Sequence, residues 1–390
     1  MDAKVAVIGT GSIGSMALWQ LARAGVEAIG FERYAPGHDQ AAAGGESRIF
    51  RTAYLEGSQY VPLLLRAREL WRELEAESDT ELLTLNGGLM IGREDSEAMR
   101  NVLVSAADFE LPHQVLDAPA MAKRYPQHAM MPGEVAVYEE WAGVLRPEFA
   151  VLAAANAAQA RGARLLTGCH VDDVVPGSDS VTIHAGGRTW TVEQAVVTAG
   201  PWTNRFAPTL AAHVRPKKLV MTWYHPRGAV AAYRPDAFPI FIRDTEQAHV
   251  FGIPTLDGGS VKVAPHASYG DLHDADELDR NVKANELDAI NTAVSTYLPG
   301  LIPNPVRVSS YMDAYTTDGH AMVGQMPGTS NVWLLGGFSG HGFKMASAFG
   351  QIAADLVIDQ KTTLPIDHLD PTRFLPRPAD RSERPPVDRS

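Results

Sequence analysis

The stretch Val5 to Gly14, reading VAVIGTGSIG, constrains this chain more than any other. Five small or apolar residues, Val5 to Gly9, suit a strand buried on both faces, and the run ends in Gly9-Thr10-Gly11-Ser12-Ile13-Gly14. In this pattern Gly9 turns the chain, Gly11 lets the backbone approach a pyrophosphate, and Gly14 allows close helix–strand packing. A helix over about Ser12 to Ala24 follows, aiming its free N–H groups at the phosphates, and Gly25 stops it. A second apolar run, Ala28 to Phe31, ends in Glu32, 18 residues after Gly14, where a carboxylate can take both hydroxyls of a ribose. Strand, helix and acid in this order predict a βαβ unit that binds a dinucleotide. Glu32 repels a 2′-phosphate and Arg33 attracts one, so this pair leaves the nucleotide's identity open.

A chain of 390 residues has room for two domains of about 100–200 residues each, and a hydrophobic content of 45% supplies a full core. Against 46 acidic residues stand 34 basic ones, a net charge of −12 that argues against nucleic acid or an anionic membrane as partner. The single cysteine, Cys169, rules out an internal disulfide and any multi-cysteine metal site. The first strand starts too near Met1 for a signal peptide, and no apolar run approaches the roughly 20 residues of a membrane span. These features predict a soluble cytoplasmic protein without a metal; they leave its oligomeric state open, as a monomer or small homo-oligomer.

After Glu32 a Gly/Ala-rich loop, Tyr34 to Glu46, leads into Ser47-Arg48-Ile49-Phe50-Arg51. If that piece is helical, two arginines three apart share one face, suited to an anion or an electron-rich ring; the alternative is a solvated charged face. Helices are expected over Tyr60–Glu77, Glu97–Glu110, Pro147–Arg161 and Met345–Ile358, and strands over parts of Leu82–Ile91, Ala163–Leu166, Val181–Trp190 and Ala195–Gly200. From Arg215 short apolar runs separated by turns (Leu219–Tyr224, Pro239–Ile242, Val250–Ile253, Ser260–Pro265) read as an antiparallel sheet. Asp271 to Tyr297 is helical in pattern and acidic at first, as in a solvated outer helix. The strand Asn331–Leu335 precedes a second glycine-rich loop, Gly336 to Lys344. The tail from Pro376, with four prolines in 15 residues and mixed charge, is expected to be disordered.

Several of these pieces together resemble the FAD-dependent amine oxidase family of monomeric sarcosine oxidase, N-methyltryptophan oxidase and the bacterial fructosyl amino acid oxidases. The resemblance runs from about Lys4 to Val357 and is carried most specifically by Arg48-Ile49-Phe50-Arg51, Tyr60-Val61-Pro62-Leu63, Ala142-Gly143-Val144-Leu145-Arg146 and Gly337-Phe338-Ser339-Gly340-His341-Gly342-Phe343-Lys344. It implies FAD as the dinucleotide and a mixed α/β fold: a Rossmann-type FAD-binding domain assembled from residues 1–82, 143–214 and 305–360. Residues 83–142 and 215–304 then form a substrate domain with a mainly antiparallel sheet, and 361–390 a C-terminal extension. The implied reaction oxidises the C–N bond of a secondary amino acid to an imine, with O2 reduced to hydrogen peroxide.

Matched position by position, the resemblance makes Arg51 the ligand of the substrate carboxylate, with Lys344 as its partner. A guanidinium grips a carboxylate through two parallel N–H bonds, whereas Lys344 is a point charge that also steadies a reduced, anionic flavin. Arg48 matches the arginine that lies over the flavin, and Lys262 the lysine that activates O2, where a cation stabilises developing superoxide. His266 matches a histidine near the substrate amine; its other reading is a satisfied polar residue of the sheet. Around the cofactor the same matching places Gly9, Gly11, Ser12, Ile13, Gly14, Glu32 and Arg33, then Val171, Ala199, Gly200 and Trp202, and finally Gly337, Gly340, His341, Gly342, Phe343 and Lys344.

The departures from the family pattern are as informative. Members named for sarcosine and N-methyltryptophan carry a cysteine bonded to the flavin; here Tyr311 holds that position, which implies non-covalent FAD. Phe251 and Asp313 stand where tyrosines are usual, and Ala43-Gly44 replaces a His-His pair. Less aromatic bulk and an added carboxylate imply a roomier, more polar substrate pocket, suited to hydroxyls or a second cation. Fructosyl amino acids fit that description and N-methyl amino acids remain open. A flavin dehydrogenase using another electron acceptor is the alternative enzyme, with a nicotinamide-dependent imine reductase as a further one. A non-catalytic FAD-binding protein is the alternative outside enzymes.

Overall fold

The computed structural model describes residues 1–40, 42–265 and 268–376. The opening motif folds as its pattern dictates. Strand β1 (Ala3–Ile8) is buried almost throughout, helix α1 (Ser12–Arg23) follows it, and strand β2 (Ala28–Phe31) returns parallel to β1 with Val5 opposite Ala28 and Ile8 opposite Phe31. β1 also pairs in parallel with Arg188–Val197, which pairs with Val332–Gly336; β2 pairs with Arg164–Leu166. This parallel core is edged by the antiparallel strands Val171–Pro176, Val181–Ala185 and Met322–Gln325.

α1 is buried on nearly every side, because the helices Pro147–Ala160 and Ala346–Asp359 flank it. The latter approaches so closely that a Cβ on Gly350 would lie 2.5 Å from Met16 Cβ. Trp19, Trp71 and Phe349 fill the layer these helices make with α2 (Val61–Ser78).

A second eight-stranded sheet runs in the order Arg307–Thr316, Val214–Tyr224, Val261–Pro265, His249–Ile253, Ile240–Asp244, Gly88–Arg93, Glu134–Glu139, His113–Leu116. Every neighbouring pair is antiparallel except Ile240–Asp244 with Gly88–Arg93. The architecture is therefore mixed α/β, as expected. Arg307–Thr316 pairs along its whole length with Val214–Tyr224, so these residues sit in the second sheet, although segment 305–360 was assigned to the nucleotide side. No helix among the described residues is long and apolar enough to cross a membrane.

Two local expectations are corrected. Ser47–Arg51 is not helical: Arg48–Phe50 is a strand, β3, paired antiparallel with Gly143–Leu145 in a small three-stranded sheet that Leu83–Thr84 completes. Of Asp271–Tyr297 only Asp288–Tyr297 is α-helix. Earlier, the Asp274 side chain caps a 3-10 turn at Ala275–Glu277 by accepting Asp276 N–H, which ends any longer helix there. The expected disorder beyond Pro376 falls on residues outside the described ones.

Candidate active site

Two cavities lie side by side, and Gly340 and Phe343 line both. The first opens at the β1–α1 turn. Gly9 has φ +83°, and a Cβ on Gly14 would collide with the Gly9 carbonyl oxygen, so both glycines are required by the turn itself. Gly11 differs: a Cβ there meets no protein atom within 4 Å and would project from the cavity wall into space that a ligand needs. Gly9, Gly11, Ser12, Ile13, Glu32, Arg33, Val171, Ala199, Gly200, Trp202, Gly340, Gly342 and Phe343 all line this cavity.

Glu32, at the end of β2, is buried and accepts N–H groups from Thr10 (3.1 Å) and Tyr34 (2.9 Å). His38 Nε2 is 3.2 Å away, and because His38 Nδ1 accepts the Gln40 N–H, Nε2 carries the hydrogen and donates. Burial pushes the Glu32 carboxyl up, but the His38, Tyr34 and Thr10 donors outweigh it and hold Glu32 below its ordinary pKa. It therefore presents a carboxylate to hydroxyls. An α-helix N-terminus, a glycine turn open to ligand and a buried carboxylate at the second strand together fit the pyrophosphate and ribose of FAD.

Gly14 and Gly337 do not line the cavity; each serves packing, and a Cβ on Gly337 (φ +69°) would lie 2.6 Å from Thr316 Cγ2. Asp313, expected on the substrate side, lines the nucleotide cavity instead, because its Oδ2 accepts the Gly340 N–H (2.8 Å). Cys169, His38 and Arg205 also line this cavity and were missed. His38 and Cys169 come from separate loops and Arg205 from the short helix Thr203–Phe206, and nothing local marks them.

The second cavity, about 780 Å³, falls within the usual size of small-molecule sites. Arg48, Arg51, Phe251, His341 and Lys344 line it. Arg48 donates to the carbonyls of Ala42, Gly44 (both 2.6 Å) and Ser47 (2.8 Å), which fixes its guanidinium on the loop before β3. Arg51, 3% exposed, donates to Ala53 O (3.2 Å) and pairs with Glu56 through Nη2 at 2.9 and 2.7 Å, while its Nε has no partner. Burial raises the Glu56 carboxyl, but Arg51, then His341 and Lys344, hold it below the ordinary range. Glu56 thus occupies the arginine's carboxylate-binding fork; it was missed, although it lies only five residues from Arg51.

Lys344 donates to His341 O (2.9 Å) and Tyr54 Oη (3.4 Å), and Tyr54 Oη lies 3.0 Å from His341 Nδ1. Burial, reinforced by Arg51 and Arg48, pushes the Lys344 ammonium down to about 7. Lys262, 2% exposed, lines neither cavity; its Nζ donates to Gly45 O (2.9 Å) and Ser47 O (3.1 Å) on the loop that carries Arg48. Burial and then Arg48 lower its pKa well below that of an ordinary lysine. His266 lies outside the described residues.

The arrangement holds a buried anion-binding pair next to a dinucleotide cavity. The family model described as FAD dependent oxidoreductase matches residues 4–356. The chain belongs to that family. It is 36% identical over 383 residues to monomeric sarcosine oxidase of Streptomyces avermitilis, covering 96% of this chain and 98% of that protein. It is 30% identical over 374 residues to N-methyl-L-tryptophan oxidase of Escherichia coli K12, covering 94% and 98%. Among solved structures, the open form of NikD, an unusual amino acid oxidase, superposes with a TM-score of 0.82 at 22% identity over 95% of this chain and 97% of that one. Fructosamine oxidase from Aspergillus fumigatus superposes with a TM-score of 0.78 at 17% identity over 96% and 90%. These two share the fold. This member of the family is an FAD-dependent oxidoreductase.

Proposed function

We propose that this enzyme oxidises the C–N bond of N-substituted α-amino acids to an imine, with O2 as electron acceptor and hydrogen peroxide as product. The observation that carries this reading is the pairing of Arg51 and Lys344 in one cavity that shares Gly340 and Phe343 with the FAD cavity. A carboxylate held there keeps the substrate's amine and α-carbon beside the cofactor. When bound, FAD accepts the electron pair from the C–N unit and passes it on. Arg51 orients the substrate by its charge and through Nε–H, the donor that Glu56 and Ala53 leave without a partner, and Phe251 and Ile242 supply an apolar wall for the N-substituent.

N-methyl amino acids are the leading substrates, in keeping with the names of the sequence relatives. Fructosyl amino acids are the second reading: the cavity extends past Phe251 to polar residues at Ser96, Asn101 and Thr245, which offer partners for hydroxyls. FAD is held non-covalently, because Tyr311 stands where the family's linking cysteine would be.

A peroxide-coupled screen of sarcosine, N-methyltryptophan, fructosyl-glycine, fructosyl-valine and pipecolate tests the reaction. Turnover of at least one is expected, and none across the panel refutes it. Flavin that precipitates with the protein in acid refutes non-covalent binding. Lys262→Met is expected to slow reoxidation by O2 about 100-fold while substrate still reduces the flavin; unchanged reoxidation favours a dehydrogenase.

A further inference from the structure

The hydrogen atoms around Lys344 are fixed by their partners. His341 Nε2 lies 3.0 Å from Gly319 O, and a carbonyl only accepts, so Nε2 carries the hydrogen. Burial, with Lys344 and Arg51 nearby, pushes His341 down to about 4, so the ring is neutral and Nδ1 is an acceptor. Tyr54 therefore donates its hydroxyl hydrogen to Nδ1 and has only lone pairs left for Lys344. A neutral lysine amine has two hydrogens and one lone pair. Both hydrogens are committed, to Tyr54 Oη and to His341 O, which leaves the lone pair free in the wall of the substrate cavity.

Glu56 is paired with Arg51, and among the described residues Lys344 makes no ion pair. The groups that face it are Arg48 and Arg51 from β3 and its end, Tyr54 and Glu56 from the next loop, Asp313 from the second sheet and His341 from its own loop. Arg51 and Arg48 oppose its charged form and Glu56 and Asp313 favour it, but burial dominates.

We propose that Lys344 accepts the proton that the substrate's ammonium must lose before its C–N bond can be oxidised. This rests on the function proposed above. As the substrate carboxylate docks on Arg51, the ammonium R2NH2⁺ gives a proton to the Lys344 lone pair, leaving the neutral amine R2NH and a lysinium. The third N–H of that lysinium then faces the same carboxylate. An anion within about 4–6 Å favours the charged form of a lysine, so docking itself drives the transfer. Arg51 holds the carboxylate; Lys344 holds the proton.

The test titrates butanoate, sarcosine's chain with a methylene in place of the amine, into the FAD-loaded enzyme at pH 8 with an indicator dye. Uptake approaching one proton per site is expected for the wild type and none for Lys344→Arg, whose guanidinium is already charged. Absence of uptake by the wild type overturns the proposal without relying on any variant. In anaerobic flavin reduction by sarcosine, the wild-type rate is expected to stay level from pH 9 to 8. The Lys344→Arg rate should fall about ten-fold per unit over the same range. A lysine that only bound carboxylate would be replaced by arginine with the wild-type pH profile, and that result also overturns the proposal. Failure to oxidise sarcosine or any amine counts against the proposed function alone, since proton uptake with butanoate needs no turnover.

Discussion

The ring of Tyr311 fills the space beside Gly44: a Cβ on residue 44 would lie 2.5 Å from Tyr311 Cε1 and 2.9 Å from Cδ1. Gly44 and Tyr311 are therefore packed as one unit, each limiting what the other position can hold. Gly45, next in the chain, brings Tyr311, Lys262 Nζ and Arg48 Nη1 within 3.5 Å of its own Cβ position.

Gly44→Ala should accordingly destabilise the protein by about 1–3 kcal/mol, the usual cost of overpacking a filled site. In a Tyr311→Ala background the same substitution should cost at least about 1 kcal/mol less. Urea unfolding of the four proteins measures this coupling. Additive effects would show that Tyr311 yields freely to a side chain at residue 44.

How far the sequence carries depends on whether a feature is local. β1, α1 and β2 were readable almost to the residue, because a buried run, a glycine turn and a following acid specify them without help from distant segments. At their spacing Arg48 and Arg51 share a face only if the segment is helical, and the partner that makes Arg48–Phe50 a strand instead, Gly143–Leu145, lies nearly 100 residues away. Asp313 was placed beside the substrate by matching; its bond to the Gly340 N–H turns it to the cofactor cavity. Glu56 and Tyr54 carry no motif of their own, and only the folded cavity shows their contact with Arg51 and Lys344.

The acidic stretch after the strand Val261–Pro265, expected to be a solvated helix, grips the rim of the nucleotide cavity. Asp276 accepts from Arg33 (2.7 Å), Trp202 (2.9 Å) and Arg205 (2.7 Å), all three of which line the cavity, and Asp274 accepts from Arg205 Nε (3.0 Å). Exposed ion pairs are individually weak and screened by salt. Asp276→Asn is therefore expected to speed FAD release only about three- to five-fold, read from the rise of free-flavin fluorescence after dilution. Salt should speed release from the wild type and have much less effect on the variant. Equal rates would mean that the cluster does not restrain the cofactor.

Asp313 carries a pH dependence of opposite sign to most acids. Burial pushes its carboxyl up to about 6, against the Gly340 and Ala314 N–H groups and the nearby Arg48 and Lys344. Between about pH 4, where an unfolded aspartate ionises, and pH 6 the folded state holds a proton that the unfolded state has lost. Stability from this group is thus full below pH 4 and declines as pH rises to 6. Relative to Asp313→Asn, the wild-type apoprotein should lose up to about 2 kcal/mol across that window in denaturant unfolding. A constant difference from pH 4 to 7 would place the carboxyl in ordinary solvent.

Glu139 ties the Arg51 segment to the second sheet. It ends the strand Glu134–Glu139, is fully buried, and accepts the N–H groups of Thr52 (2.7 Å) and Ala53 (3.0 Å) together with the Thr52 hydroxyl. Those two N–H groups immediately follow Arg51, so the carboxylate sets where the arginine's backbone sits. Burial raises its pKa, and the Thr52 and Ala53 donors only partly offset this. Glu139→Ala would leave two buried donors without an acceptor, at about 1–3 kcal/mol each, so a loss of roughly 2–5 kcal/mol of stability is expected. If the clamp also positions Arg51, KM for a carboxylate-bearing substrate should rise about ten-fold while kcat changes far less, the pattern of weakened ground-state binding. Glu139→Gln, which keeps one acceptor oxygen, should recover part of both losses. A destabilised Glu139→Ala enzyme with unchanged KM would assign Glu139 to the fold alone and leave Arg51 positioned by Glu56 and Ala53.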